Sequence, residues 1–419
     1  MKAEIIAVGS EMLTPFRQDT NSLYLTEKLN EIGVTVAFKT IVGDRRKDLV
    51  DTIRFALGRT DIVAIMGGLG PTEDDLTREA VAEALSLNLS RDAALLATLK
   101  ARAVAWHRAM PSNFVKQADV IESATILPNL NGSAPGQWLD TTFAGHRKLV
   151  FLVPGPPSEC RPLFDAECMP RLRAILPVRH IATRTLHAAM ILEAEADSLL
   201  APVYTTYTDL ETTILAKPGE IQLTLLCAKP DLETAQQRVD ELAGRLEEIL
   251  EDWLYSSSDE SGHSESLEQI VLYYLGLRNA TLAVAESCTG GMIAERVTRV
   301  PGSSRSFLGG AVVYSNELKT AFAGVPPELI ARHGAVSREV AEALAAGIRR
   351  RAGSTFGLGV TGIAGPAGGS EAKPVGLVYI AISDAQKTES IERVFPGDRE
   401  RIRLLATQQA LDLIRRRLR

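Results

Sequence analysis

Apolar runs alternate with helix-spaced segments from the first residues onward. Residues 3–8 are apolar except for Glu4, the mark of a strand covered on both faces. Residues 20–32 read as a helix, 35–42 as a strand and 49–57 as a helix. Residues 61–66 read as a strand that ends in Gly67-Gly68-Leu69-Gly70, and 79–85 as a helix. A further strand, 148–153, runs into Pro154-Gly155-Pro156-Pro157, where no regular element continues, and a helix over 158–174 closes the region. This βαβ rhythm predicts a doubly wound α/β sheet with sites at the C-terminal strand ends.

A second region, 176–255, carries a strand (182–186), a helix (193–201), a hairpin of strands (212–217 and 221–228) turning at Pro218-Gly219, and a long amphipathic helix (232–250). It predicts a small α+β module. Residues 256–263 are small and polar and read as a linker. From 264 to 419 the βα pattern returns, with strands at 281–285, 307–314, 356–360 and 376–383 and a last helix at 399–417. The expected organisation is therefore 1–175, 176–255, a linker at 256–263, and 264–419.

Length agrees, since 419 residues exceed one ordinary core. A hydrophobic content of 45% with 23% charged residues fits a soluble globular protein. The net charge of −6 argues against a dedicated nucleic-acid binder, which carries a basic face. Arg415, Arg416, Arg417 and Arg419 read as a solvated last helical turn that complements the helix dipole. The four cysteines, Cys160, Cys168, Cys227 and Cys288, form no CxxC pair, so neither a zinc site nor a disulfide framework is expected. With no signal-peptide pattern and no apolar run of spanning length, the expectation is a cytoplasmic protein without a membrane partner.

Chemistry concentrates in two places. In Glu286-Ser287-Cys288-Thr289-Gly290-Gly291 a buried strand gives way to a small-residue turn and a helix start. Such a spot binds an anion or holds a nucleophile. A serine alcohol needs a base, and Lys319, once desolvated, supplies one near neutral pH. Tyr314 lies five residues before it and can relay a proton. As isolated residues, Tyr314 reads rather as a core cap and Lys319 as a solvated helix lysine. Cys288 competes as nucleophile but reads as a small core residue, and His333 as an exposed or capping histidine. Thr361, Gly362 and Gly365 begin a glycine-rich loop whose amides can approach a phosphate or oxyanion, and Arg399 and Arg401 open the last helix within reach of a phosphate.

The segments ESCTGG, VVYSNELK, HGAVS, VTGIAGPAGG, KPVGLVYIAI and FPGDRERIR resemble, in order, the C-terminal domain of the CinA family, a domain similar to nicotinamide mononucleotide (NMN) deamidase. The resemblance implies hydrolysis of the NMN carboxamide to nicotinate mononucleotide and ammonia. It places the family's Ser, Tyr and Lys on Ser287, Tyr314 and Lys319. Ser287 then attacks the carboxamide carbon, Lys319 takes its proton, and the amides of Thr289, Gly290 and Gly291 stabilise the oxyanion, each donor lowering the barrier by roughly 3 kcal/mol. No cofactor is chemically required there.

The second place comprises Gly9-Ser10-Glu11, Asp19-Thr20-Asn21 and the run from Gly67 to Thr77, hard oxygen ligands and glycine turns at three strand ends. Taken singly, Asp19, Asp74 or Asp75 also reads as a helix cap. MGGLGPTEDDLT, DTNS, LPNLNGSAPG and FLVPGPPSE resemble the molybdopterin-binding (MoaB/MogA-like) fold of the CinA N-terminal domain. That implies ADP-ribose pyrophosphatase activity with a divalent metal (Mg, Mn or Co). Glu11, Asp19, Asp44, Asp74 and Asp75 are then the metal candidates, and Gly9, Asn21, Gly67, Gly68, Gly70 and Thr72 the nucleotide or phosphate candidates. Where the family usually has a Gly-Gln pair, this chain reads Pro15-Phe16-Arg17-Gln18, a rigid residue in place of a permissive one.

The middle region, in ILAKPGEIQLTLLCAK, resembles a KH-like domain. It lacks the GXXG clamp of nucleic-acid-binding versions, which leaves dimerisation or spacing as its role. Together these features give the expectation of a homodimeric bifunctional hydrolase of pyridine nucleotide salvage, acting on NMN and ADP-ribose. Two alternatives stand beside it. In one, only the amidase works and the N-terminal domain binds nucleotides. In the other, the chain is a scaffold for competence or recombination proteins.

Overall fold

The structure is a computed structural model that describes the chain except residues 106–110, 178 and 260–264, with backbone alone for 102–105. The described residues form two compact units, Met1–Ile181 with Ala228–Ala235, and Ala182–Cys227 with Gln236–Arg419.

The first unit is built on a six-stranded sheet in the order Thr35–Val42, Lys2–Val8, Ile62–Met66, His146–Val153, Gly136–Phe143, Thr125–Leu127. The first four strands are parallel and the last two pairings antiparallel. Alternate residues of Lys2–Val8 serve opposite faces. Ala3, Ile5 and Ala7 join Leu25, Leu29 and Phe151 on one side, while Ile6 and Val8 join Leu49, Ile53 and Val81 on the other. That double burial is why the strand reads as a continuous apolar run. Its acidic residue, Glu4, is fully buried and met by Thr40 and by both Nε and Nη2 of Arg59.

The second unit holds two sheets. One is ordered Leu210–Lys217, Glu220–Lys229, His180–Ala189, Leu254–Ser258. The other is ordered Phe307–Val312, Leu282–Glu286, Phe356–Gly362, Leu377–Ser383, Thr388–Val394, parallel over its first three strands and antiparallel thereafter. Ala189 and Tyr255 share one apolar cluster with Leu267, Val271 and Leu411, so the middle module packs against the C-terminal region within one compact unit. Ser256, Ser257 and Ser258, expected in a linker, instead pair with His180–Ala189, and residues 260–263 lie outside the described residues.

The arginine-rich end also departs from its reading. Arg415 is 1% exposed, paired with Asp412 at 2.7 Å, and donates to the carbonyl of Leu254 at 3.0 Å. Arg417 pairs with Asp384. The last helix is covered on this side by residues 252–254, so Arg415 finds buried partners where a solvated turn would find water, while Arg416 and Arg419 remain exposed as expected. Among the described residues, no helix is long and apolar enough to cross a membrane.

Candidate functional site

Two parallel neighbours deliver the site of the second unit. Leu282–Glu286 and Phe356–Gly362 are in register with Glu286 beside Val360, so both strands end at the same edge of the sheet. Ser287 comes next, its amide donating to the Val360 carbonyl at 3.0 Å and the residue only 7% exposed.

Glu286 shapes the turn that follows. Its buried carboxylate accepts the amides of Gly291 (3.0 Å), Ile293 (3.1 Å) and Ala294 (2.9 Å), filling the start of the helix Met292–Thr298 with the protein's own negative charge. The anion site expected at this helix start is therefore already taken. The Gly290 amide donates to the Ser287 carbonyl at 3.1 Å. Two of the three expected oxyanion donors, Gly290 and Gly291, are thus engaged, and Thr289 is wholly buried. Arg403 Nη2 donates to the Thr289 carbonyl at 2.9 Å and steadies the turn. Gly290 and Gly291 lie at φ 61° and 94°, a conformation other residues rarely adopt.

A cavity of about 180 Å³ opens in front of Ser287, lined by Cys288, Lys319, Thr361, Gly362 and Arg399 among others. Lys319 sits on the helix Asn316–Ala323, which Ser315 caps through the Leu318 amide. It is 2% exposed, and its Nζ donates to the Tyr314 carbonyl at 3.3 Å. Burial pulls its ammonium below the ordinary lysine value, against the opposing pull of Cys288 and Glu317. The solvated-lysine reading is overturned. Burial pushes the Cys288 thiol up to about 12, so at neutral pH it stays protonated and weakly nucleophilic.

Tyr314 does not cap the core. It is 58% exposed, and its hydroxyl accepts from Arg399 Nη2 at 2.9 Å while Nη1 of the same arginine donates to the Gly365 carbonyl at 2.8 Å. Lys319 meets Tyr314 through the backbone carbonyl and not through the phenol. Arg401 is exposed and outside the cavity, its amide donating to the capping Asp398.

One wall of the cavity, Ala335 and Val336, was not anticipated. Thr361 Oγ1 donates to the Ala335 carbonyl at 2.8 Å, and Lys373 Nζ donates to the carbonyls of His333 (2.9 Å) and Val336 (2.6 Å). The His333 ring turns to Glu339 at 3.3 Å. Glu286, Arg403 and Lys373 were missed because each acts on backbone atoms. The signals in the sequence were the family-like segments that contain them, ESCTGG, KPVGLVYIAI and FPGDRERIR, and the four-residue spacing of Arg399 and Arg403, which places them on one helix face.

In the first unit a cavity of about 630 Å³ gathers Glu11, Asp19, Asn21, Gly67, Gly68, Gly70 and Asp75, with Arg17 and Gln18 of the altered loop. Gly9, Asp44, Thr72 and Asp74 lie outside its lining. The glycine turn is held from behind. Thr77 takes the carbonyls of Gly67 and Gly68 through its hydroxyl and amide, and the buried Arg78 takes those of Leu69 (2.9 Å) and Gly70 (3.1 Å). The amides of Gly68, Leu69 and Gly70 have no protein acceptor among the described residues. A turn with its carbonyls tied back and its amides unclaimed is a nest for an anion.

The metal candidates fare differently. Asp44 accepts the Ser10 amide at 2.7 Å, Asp19 the Ser22 amide at 2.9 Å and Asp75 the Thr72 amide at 2.9 Å. A hydrogen bond from Thr72 lowers the Asp74 carboxyl below its usual range. Among the described residues no three His, Cys, Asp or Glu side chains converge to hold a metal. The donor chemistry suits a hard cation, but the arrangement does not assemble one from side chains.

Residues 264–418 match the family described as "CinA C-terminal domain", and residues 4–174 the family described as "Probable molybdopterin binding domain". A CinA-like protein of Acidobacterium capsulatum is 66% identical over 418 residues, covering 100% of both chains. One of Koribacter versatilis is 55% identical over 418 residues with the same coverage. Among solved structures, the competence/damage inducible protein CihA from Agrobacterium tumefaciens is 38% identical with a TM-score of 0.34, covering 35% of this chain and 90% of its own.

Proposed function

The chain belongs to the CinA family, and from that premise we propose that its second unit is an amidase that hydrolyses the carboxamide of nicotinamide mononucleotide. The observation that carries this reading is Ser287 and a desolvated Lys319 lining one cavity, beside a thiol too weakly acidic to compete. Ser287 Oγ attacks the carboxamide carbon as Lys319 accepts the hydroxyl proton. The tetrahedral intermediate collapses, the C–N bond breaks, and that proton leaves with ammonia. Water then hydrolyses the serine ester, releasing the carboxylate. A cavity of about 180 Å³ suits an aromatic carboxamide better than a whole nucleotide, so the ribosyl phosphate projects toward Arg399 and the exposed Tyr314. Ammonia release from NMN tests this. Activity in the purified chain that disappears in Ser287→Ala and Lys319→Ala supports it, and full activity in Ser287→Ala overturns it.

The glycine turn favours a second reading for the first unit, a cavity for a nucleotide with a diphosphate such as ADP-ribose. Arg78 supports it by placing a buried positive charge behind unclaimed amides. Cleavage of ADP-ribose with added Mg, Mn or Co, measured as AMP release, separates an N-terminal hydrolase from a unit that only binds nucleotides.

A further inference from the structure

We propose that a cleft between the middle module and the last helix of the second unit binds an adenine mononucleotide, at a site separate from both cavities described above. The cleft encloses about 450 Å³, within the range of roughly 300–1,000 Å³ typical of small-molecule sites. It shares no lining residue with the cavity of Ser287 or with that of the glycine turn. The middle module contributes Met190 and Trp253, and the C-terminal region Phe395, Leu413 and Gln409.

Gln409 is the observation that points to a ligand. It is 7% exposed, yet neither end of its carboxamide has a partner among the described residues, and neither end is closed off from solvent. Buried polar groups are nearly always satisfied, so one left open at a cleft awaits a partner. The side chain presents a donor and an acceptor together there. Its neighbour Gln408 turns elsewhere, with Oε1 accepting from Arg296 Nη1 at 2.7 Å. Adenine matches a glutamine amide, because its exocyclic amine donates beside a ring nitrogen that accepts. The half-buried Trp253 and the buried Phe395 supply aromatic surface on which a base stacks.

Charge adds the phosphate. Arg393 is exposed at the cleft, donates to the Glu392 carbonyl at 2.9 Å, and has no acidic partner among the described residues. Arg416 is a second cation in the lining. Asp412, the carboxylate of the lining, is already met by Arg415 and Arg416, each at 2.7 Å, and Asp252, 3.8 Å from Arg416, lies largely in solvent. The charge left over at the cleft is positive, and a guanidinium grips phosphate oxygens with a planar fork. Water is the competing occupant, and it would leave the cleft indifferent to nucleotides.

Fluorescence titration of the full chain decides between them. A base stacked on Trp253 quenches its emission, so AMP should lower the tryptophan signal and Trp253→Phe should abolish that change. Dependence on Trp253 separates this site from nucleotide held in either other cavity. Adenosine lacks the phosphate and ribose 5-phosphate lacks the base, so each should bind more weakly than AMP. We expect Arg393→Met to weaken AMP on the order of tenfold without changing adenosine, and Gln409→Leu to weaken both on the order of fivefold. Should Trp253→Phe fail to fold by circular dichroism, the exposed Arg393 carries the test, and the AMP quench must weaken in Arg393→Met. A Trp253-dependent quench that weakens in both variants supports the proposal. No quench by AMP in the wild type, or wild-type AMP affinity in folded Arg393→Met and Gln409→Leu, overturns it. Neither outcome touches the amidase reading, which is tested by ammonia release.

Discussion

Lys319 is the residue on which the amidase reading turns, and its environment fixes a sign that can be measured. Burial lowers its folded value below the ordinary 10.5. The free amine is the active form, so hydrolysis should rise with pH through an apparent pKa below 10.5 and then level off. Stability follows the same proton. Between the depressed folded value and the unfolded one, the unfolded chain binds more protons, so stability rises with pH across that window. Lys319→Met should flatten this rise, seen in urea midpoints taken at neutral pH and near pH 10. Gly362 belongs to the same cavity. A Cβ there would lie 2.8 Å from the Leu377 carbonyl and 3.0 Å from Cys288 Sγ. Gly362→Ala should therefore destabilise by about 1–3 kcal/mol in denaturant titration and lower activity with it.

The turn after Leu282–Glu286 is an element whose shape depends on one side chain. Glu286→Ala would leave three amides without their acceptor, that of Ile293 buried and those of Gly291 and Ala294 half-buried. Charged hydrogen bonds are worth about 1.5–3 kcal/mol each, so a loss of several kcal/mol is expected, with hydrolysis falling further than stability alone explains. Arg403→Ala should act more gently, lowering kcat while leaving the melting temperature close to wild type. At this scale much was legible. Strands covered on both faces announce themselves as apolar runs, and residues 3–8, 148–153 and 281–285 were found for that reason. Thr388–Val394 was not found, because it is a sheet edge with most residues part-exposed or exposed, and its polar composition looks like a loop. Gly136–Phe143 was hidden likewise, its second half emerging into solvent.

Across the whole second unit, the last helix is fastened by charge. Arg415→Ala would strip Asp412 of its fully buried partner, leaving Arg416 at 2.7 Å as the remaining cation. Breaking a buried pair typically costs about 3–5 kcal/mol, and Arg416 should keep the loss near the lower end, read from the urea midpoint. Asp384 gives the acid limb. Burial pushes its carboxyl up, but Arg417 and the amides of Lys387 and Gln386 outweigh it and hold it at about 2. Its folded value lies below the unfolded 3.8, so the stability it contributes is present above 3.8 and is lost as pH falls toward 2. Arg417→Ala should move acid unfolding to higher pH.

The sequence by itself determined the βα rhythm of the first and last regions, the α+β module between them, the family, and the nomination of Ser287, Lys319 and Arg399, which line one cavity. Periodicity and short motifs are local, and these features are local too. Tertiary structure decided whatever depends on distant partners. It turned a linker into a strand because Ser256–Ser258 found His180–Ala189 to pair with. It buried Arg415 of an arginine-rich tail because Asp412 and two carbonyls were waiting. It filled an expected anion site with Glu286. A side chain's hydrogen bonds are set by what the fold brings to it, and that is settled only when the sheets close.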